Sequence, residues 1–404
     1  MAINDLTITD IYSVANAVVT KAQGGTATAN TSDFTTLAQI ALKNGYDPLT
    51  TAISQVLSKT IFSYRPYSAK FQGLEKDAIQ WGNHVRKLNP IDKPLEQDNR
   101  LLNASGTALA DGDTIDQYVV NKPEVLQSNF YGSETYQKHL TIWKDQLDTA
   151  FNTPEQFGNF LTMVMGSASD QLEQVRESMA RAALVNLIGG TITLNNTGSV
   201  VHLLTEYNTA TGQSLTAVTV LLPANYRPFM QWVFARMQSI MDRMTDRTQM
   251  YHLNPVGTDL ASKTLLRHTP IRNQHAYFLS DFINQSAMMA MSDTFHDQYL
   301  KIMDYEKLNF WMNAANPSLI QTTVNYLTKG TAGTTASAIT TASINNSTVV
   351  GVVFDDEAIG ITNVNQWSQA TPFNARGGYY NQYWHETRRW WNDNTENVVV
   401  FCLD

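Results

Sequence analysis

TPEQFGNFLTMVMGSASDQLEQVRESMARAALVNLI, residues 153–188, is the stretch around which the rest of this chain has to be arranged. Thr153 suits a helix N-cap and Pro154 the first helical position. Gln156 falls where a capping box wants Glu or Gln. Phe157, Leu161, Val164, Ala168, Leu172, Val175, Met179 and Ala182 then recur at steps of four and three, drawing an apolar stripe along one helical face. Gly189-Gly190 is the expected stop, because glycine lets a chain leave a helix through a left-handed turn. Such a helix is roughly 50 Å long. Small residues from Gly166 to Ser169 mark a bend or a close crossing. One long helix with one apolar face requires a broad sheet or a second layer beside it.

The chain has 404 residues, too many for one small domain and enough for two or three modules. Charged residues make up only 16%, while Asn, Gln, Ser and Thr are abundant, so the surface is largely neutral-polar. Such a surface suits extended, solvent-rich contacts between subunits, and it also occurs in ordinary secreted proteins. The formal charge of −8 argues against a dedicated nucleic-acid binder, which needs clustered Lys and Arg. It is compatible with a protein that sits near nucleic acid without gripping it. A single cysteine, Cys402, excludes an intramolecular disulfide framework and any multi-cysteine metal site. No run approaches the ~18 apolar residues that span a bilayer. MAINDLTITD has neither a basic n-region nor an apolar h-region, so the expectation is folding in a reducing cytoplasm.

Residues 1–63 read as an arm followed by two short helices, Ser32 to Asn44 and Asp47 through Ile61. The amphipathic Ile8 to Val19 either orders against a neighbour or frays. Residues 64–81 read as extended. From Gly82 to Tyr131 apolar residues thin out, prolines punctuate, and Asn103 to Thr107 and Asp111 to Asp113 signal turns. Strand-like ends, such as Thr114 to Val120, favour a hairpin arm stabilised by another chain over disorder. After Gly190 the expectation is short strands at Thr191 to Leu194 and Val200 to Leu204, and a buried one at Thr216 to Leu222. A helix opens at Pro228, with strands at Ala276 to Leu279 and Val349 to Phe354. KGTAGTTASAITTASINNS, residues 329–347, is a low-complexity run read as an exposed loop. The region from about Thr191 to Gly360 looks like an α/β module. Near the end an aromatic-rich stretch, Tyr379 to Trp391, a turn at Asn392 to Thr395, and the apolar Asn397 to Phe401 read as a β-hairpin. Aromatics on both pleat faces imply a strand covered on both sides, with the long helix on one of them.

The sequence singles out no catalytic, cofactor-binding or metal-ligating residue. A Walker loop, a GxGxxG fingerprint, a nucleophile elbow and an HExxH are all missing. The eight histidines (84, 139, 202, 252, 268, 275, 296 and 385) are scattered singly. His296-Asp297 has no evident partner for general-base work. Asp355-Asp356-Glu357 has oxygen ligands for a divalent ion, but reads better as a solvated turn after a strand. Arg388-Arg389 among aromatics superficially resembles a stacking platform for single-stranded nucleic acid. On adjacent strand positions the two side chains point oppositely, which favours salt bridges and aromatic packing.

The closing segment, NARGGYYNQYWHETRRWW followed by NVVVF, is similar to that of major head proteins from small short-tailed bacteriophages. Its matching positions are Asn374, Arg376, Gly377, Tyr379, Asn381 and Tyr383. In outline the whole chain resembles major capsid proteins of tailed phages, whose Hong Kong 97 type fold also builds herpesvirus shells. The resemblance implies an α+β chain with an N-terminal arm (1–63), a P-domain strand (64–81) and an extended E-loop (82–131) lying over an adjacent subunit. It further implies a P-domain (132–190) with its spine helix at 153–188, an axial A-domain (191–365) and a closing hairpin (366–404). The implied partners are copies of the chain itself in hexamers and pentamers, a portal protein, a separate scaffolding protein and decoration proteins. Packaged DNA would be enclosed without sequence-specific binding. No cofactor, metal, enzymatic activity or Lys–Asn crosslinking pair is implied. The competing reading is a secreted or surface binding protein whose polar loops hold a ligand.

Overall fold

The computed structural model describes residues 71–76, 84–91, 108–112, 118, 124–143, 154–255, 265–290, 305–331 and 335–404. The arm and two short helices expected over 1–63, and nearly all of Thr114 to Val120, lie outside them. In chain order the strands are β1 (Glu75–Lys76), β2 (His84–Ile91), β3 (Glu124–Tyr131), β4 (Glu134–Trp143), β5 (Val200–His202), β6 (Gln274–Leu279) and β7 (Glu306–Leu308). They continue with β8 (Ile320–Leu327), β9 (Ile339–Asn346), β10 (Val349–Asp355), β11 (Ile359–Ala370), β12 (Tyr379–Asn392) and β13 (Val398–Cys402). The helices are α1 (Pro154–Leu194), α2 (Leu203–Thr211), α3 (Pro223–Arg243) and α4 (Ser280–Ala290). Among the described residues no helix is long and apolar enough to cross a membrane.

The described residues form two compact units. The larger takes Phe71–Thr135, Glu177–Asn365 and Thr387–Asp404. At its centre is a five-stranded sheet in the order β5-β13-β10-β6-β7. β10 runs antiparallel to both β13 and β6, while β5 and β7 pair parallel on the flanks. β10 and β13 are buried at every position, which is why VVGVVFD and VVVFC are valine-rich runs without polar alternation. Gly351 faces Phe278 across β10 and β6, and a Cβ there would stand 2.0 Å from the phenyl ring. The glycine makes room for that ring. Leu184 and Leu187 of α1, Tyr207 of α2, Phe229 and Val233 of α3 and Phe282 of α4 join the sheet in one core. Cys402 is a free, buried strand thiol, pushed up to about 12 by burial.

The smaller unit holds Tyr136–Arg176 and Gln366–Glu386, which bring together the first half of α1, most of β4 and parts of β11 and β12. β12 lies between β11 and β4. On one face of β12, Glu386 is buried and accepts from Arg176 of α1, at 3.2 Å from Nε and 2.8 Å from Nη2. The expected placement of the long helix against the aromatic strand is observed here.

Several sequence expectations need correction. The helix expected at 153–188 runs from Pro154 to Leu194, so Gly189-Gly190 is not its stop and Thr191 to Leu194 is not a strand. The glycines serve packing. A Cβ on Gly189 would come within 2.6 Å of Val324 in β8, and one on Gly190 within 3.1 Å of Tyr326. Asn186 of α1 reinforces this approach, accepting from the Asn325 backbone N–H at 2.7 Å and donating to its carbonyl at 2.9 Å. α1 ends instead at Asn195, a non-glycine residue at φ 43°. Ala182, placed on the apolar stripe, is exposed, whereas nearly every residue from Ala183 to Thr191 is buried.

Thr216 to Leu222 is a turn leading into a short 3-10 helix, Thr219–Leu221, with Val218 77% and Leu221 62% exposed. Side-chain to backbone bonds between Thr216 and Thr219 compete with strand pairing there. α3 opens at Pro223 and holds Pro228 inside it. Val200 to Leu204 divides into β5 and the start of α2. The low-complexity run is only partly loop, because Ile339–Asn346 pairs antiparallel with β8 as a hairpin. Finally, β12 and β13 do not form the hairpin expected over 366–404. They belong to different sheets, because the turn between them is itself buried in the larger unit.

Candidate assembly elements

β2 and β3 form the root of the long excursion expected at 82–131, in continuous antiparallel register from His84↔Tyr131 to Ile91↔Glu124. Burial alternates strictly along both strands. One face exposes Leu88 (57%), Val125 (54%) and Tyr131 (68%) to solvent. The other turns Lys87, Asn89 and Phe130 toward the unit's own body. Phe130 meets Trp391 at 5.8 Å between ring centroids, and Arg389 donates to the Gly132 carbonyl at 2.7 Å. The root of the hairpin is therefore folded onto its own subunit rather than left for another chain to support.

The strongest feature of that attachment is a charge clasp. Lys87 Nζ lies 2.6 Å from Glu396 Oε1, 3.0 Å from Asp393 Oδ2 and 3.1 Å from Glu357 Oε2. Arg267 Nη2 is 2.9 Å from the same Glu396 oxygen, and its Nη1 donates to Asn89 Oδ1 at 3.3 Å. Asp393 is held by its own turn, with Oδ1 accepting from the Thr395 N–H at 2.9 Å and its hydroxyl at 2.6 Å. Burial acts to lower the Lys87 pKa, but the carboxylates of Asp393 and Glu396 outweigh it and lift the ammonium above its ordinary value. Burial raises Glu396 to about 7 even though Lys87 and Arg267 pull it down. Two cations face three carboxylates, so one negative charge is uncompensated within the cluster. Glu396 sits deep enough to take up the difference as a proton.

Local sequence does not announce this clasp, since Lys87 and Glu396 are 309 positions apart. The turn expected at Asn392 to Thr395 is present, and only its burial makes it an anchor. The residues weighed for chemistry are engaged structurally. Asp355 accepts from the Thr269 hydroxyl at 2.6 Å and from the Glu357 N–H at 2.9 Å. Asp356 meets His275 Nε2 at 2.9 Å, and Glu357 joins the clasp. Arg388 and Arg389 are both buried. His296-Asp297 lies outside the described residues. Among the described residues no group of three or more His, Cys, Asp or Glu side chains is placed to hold a metal ion. A cleft of about 1010 Å³ in the larger unit is lined by Phe130, Arg181, Trp311, Tyr326, Trp391 and Asn394, and gathers no acid–base pair.

The Asn374-Ala375-Arg376-Gly377 segment is a closed turn. The Asn374 side chain accepts from the Gly377 N–H at 3.0 Å and its carbonyl from the Gly378 N–H at 2.8 Å. Gly378 adopts φ 69°, a conformation that favours glycine. The motif quoted from the sequence thus starts the register of β12.

A family profile described as Phi29-like phage major capsid protein matches residues 13–402. No curated protein matches the chain in sequence. Among solved structures, a chain of the Staphylococcus phage Andhra capsid is 9% identical with a TM-score of 0.56, over 86% of this chain and 87% of that one. A chain from a structure described as head fiber and inner core protein gp22 of native bacteriophage P68 is also 9% identical. Its TM-score is 0.52 over the same shares. At this identity the likeness bears on fold, and it agrees with the α+β, Hong Kong 97 type architecture. The alternative of a secreted or surface ligand-binding protein gains no support. This chain belongs to the Phi29-like phage major capsid protein family, and its role is that of a structural shell protein.

Proposed function

We propose that copies of this chain group as hexamers and pentamers and tile an icosahedral or prolate shell around double-stranded DNA, without catalysing a reaction. In this reading residues 82–131 are the E-loop, and the peripheral domain is drawn from residues 132–190 and 366–404, whose parts Glu177 to Gly190 and Thr387 to Asp404 pack in the larger unit. Residues 191–365 face the capsomer centre, and residues 1–63 reach toward a neighbour. Assembly takes place in the host cytoplasm with a separate scaffolding protein and a portal protein, and decoration proteins bind where the shell carries them. The observation that carries the proposal is the two-sided hairpin root. Its inner face is clasped by buried charge while its outer face presents Leu88, Val125 and Tyr131 to solvent. A root fixed on its own body, with Leu88, Val125 and Tyr131 among Arg86, Gln127 and Asn129 on its outer face, is suited to reach a neighbour in a set direction.

Each subunit would then make many modest contacts whose combined effect exceeds any one of them. The net charge of −8 supports a lining that does not grip DNA. Electron microscopy of the purified full chain tests the proposal. Closed particles, sheets or tubes are expected. Discrete monomers at every concentration and salt would refute it. A measured DNA affinity that falls steeply with salt would contradict the non-gripping lining.

A further inference from the structure

The charge cluster at the hairpin root has one fixed side and one side that can move. The turn from Asn392 to Asn397 is fixed by backbone bonds. The Asp393 N–H donates to the Ala358 carbonyl at 2.8 Å, and the Asn394 and Asn397 carbonyls accept from the Leu253 and Asp355 N–H groups at 2.8 and 2.9 Å. β2 and β3, by contrast, pair only with each other among the described strands. Side chains attach them to the turn: Lys87 reaches Asp393 and Glu396, and Arg267 links Asn89 to Glu396. The root can therefore part from the turn without breaking a strand ladder.

The three carboxylates that face Lys87 differ in how they carry charge. Asp393 is supplied with donors on both oxygens: Oδ1 takes the Thr395 N–H and hydroxyl, and Oδ2 takes Lys87. Glu357, on the turn after β10, is 64% exposed, so water stabilises its charge. Glu396 is buried, and its Oε1 is shared by Lys87 and Arg267, each of which has another partner. Glu396 is thus where a proton relieves the excess negative charge at least cost. We propose that the cluster is a proton-operated latch: the hairpin root stays docked while Glu396 carries a proton and loosens when that proton leaves. Such a latch acts within one subunit, whether or not copies assemble. Burial raises the Glu396 carboxyl to about 7, against an ordinary 4.5. The proton is held more tightly in the docked state, so docking weakens as pH rises from 4.5 through 7. His252, within reach of the Arg267 charge, does not share this role. Its Nε2 faces the Leu265 carbonyl at 2.9 Å, and burial lowers its pKa, so it is uncharged where Glu396 titrates.

The test is amide hydrogen exchange on the unassembled full chain at pH 6 and pH 8, corrected for the intrinsic rate, in wild type, Glu396→Gln and Glu357→Gln. Thermal melting reports that each variant folds. In wild type, protection of β2 and β3 should fall about tenfold between the two pH values, the ratio that a group moving between 7 and 4.5 imposes. Protection of the buried strands β10 and β13 should change far less. Glu396→Gln, neutral at both pH values, should reduce the fall to under twofold, while Glu357→Gln should keep it. Root protection in wild type that does not change with pH overturns the proposal. So does an equal fall in β10 and β13, which would mean global unfolding, or an undiminished fall in Glu396→Gln. Should Glu396→Gln fail to fold, Glu357→Gln still decides, because loss of the pH dependence there assigns the proton to the exposed carboxylate and overturns the latch.

Discussion

The clasp at the hairpin root and the open face of the smaller unit treat polar chemistry in opposite ways. At the root, Lys87, Asp393 and Glu396 are nearly dry, their side chains only 13%, 4% and 7% exposed. On the open face, Trp143 and Trp367 are each 46% exposed and pack on the uncharged Tyr379 and on His385. Buried charges tolerate few arrangements, because any displacement leaves one of them without a partner in a poorly screened interior. Neutral rings and amides exchange solvent for another surface at little cost, and so tolerate many. The first kind of surface sets a direction; the second is free to be covered.

The largest effect should come from Lys87→Met, which leaves Asp393 and Glu396 facing each other without their shared cation. A loss of about 3–5 kcal/mol is expected for breaking such a buried pair, read from urea denaturation of the unassembled subunit. Because Glu396 can take up a proton, the loss should be larger at pH 8 than at pH 5. A change indistinguishable from surface lysine substitutions would mean that Lys87 does not hold the root.

Glu396 itself offers the next test. Its folded pKa of about 7 exceeds the ordinary 4.5, so the folded state holds a proton that the unfolded chain releases between those values. Stability from this group therefore falls as pH rises through that window, by on the order of 3 kcal/mol. Glu396→Gln should flatten that part of the stability–pH curve. Parallel curves for the variant and wild type would show that the site does not titrate there.

Gly189→Val should cost about 1–3 kcal/mol through overpacking against Val324, partly offset by better helix propensity. The same substitution at exposed Gly212 meets no neighbour within 4 Å, so any loss there reports only its φ of 69°. Trp367→Ala should be the mildest in the isolated subunit, about 1 kcal/mol, since half the ring is already wet. If it matched Lys87→Met in stability, the open face would be part of the core and the comparison would collapse.

Local signals announced the start of α1 at Pro154, the buried strands β6 and β10 and the apolar run of β13. These rest on period, caps and β-branched runs, which act within a few residues. The Asn374 segment was singled out by its resemblance to phage head proteins, not by a local rule, and it forms a closed turn. Gly189-Gly190 misled for a physical reason. Glycine permits both a left-handed exit and a close crossing, and only the presence of β8 decides between them. Ile339 to Asn346 looked too polar to fold, yet pairing with β8 satisfies its backbone and leaves only Ile344 needing burial. The clasp had no local trace at all.

By itself the sequence determined the long helix, the buried strands and a charge-poor, neutral-polar surface, all of which follow from composition and from chemistry between near neighbours in the chain. Only the tertiary structure decided that Lys87 would meet Asp393 and Glu396, that the glycine pair would seat a hairpin, and that β12 and β13 would part into separate sheets. Those outcomes depend on which distant segments exclude water from one another, and the energy of a buried charge or a close crossing exists only once the partner has arrived.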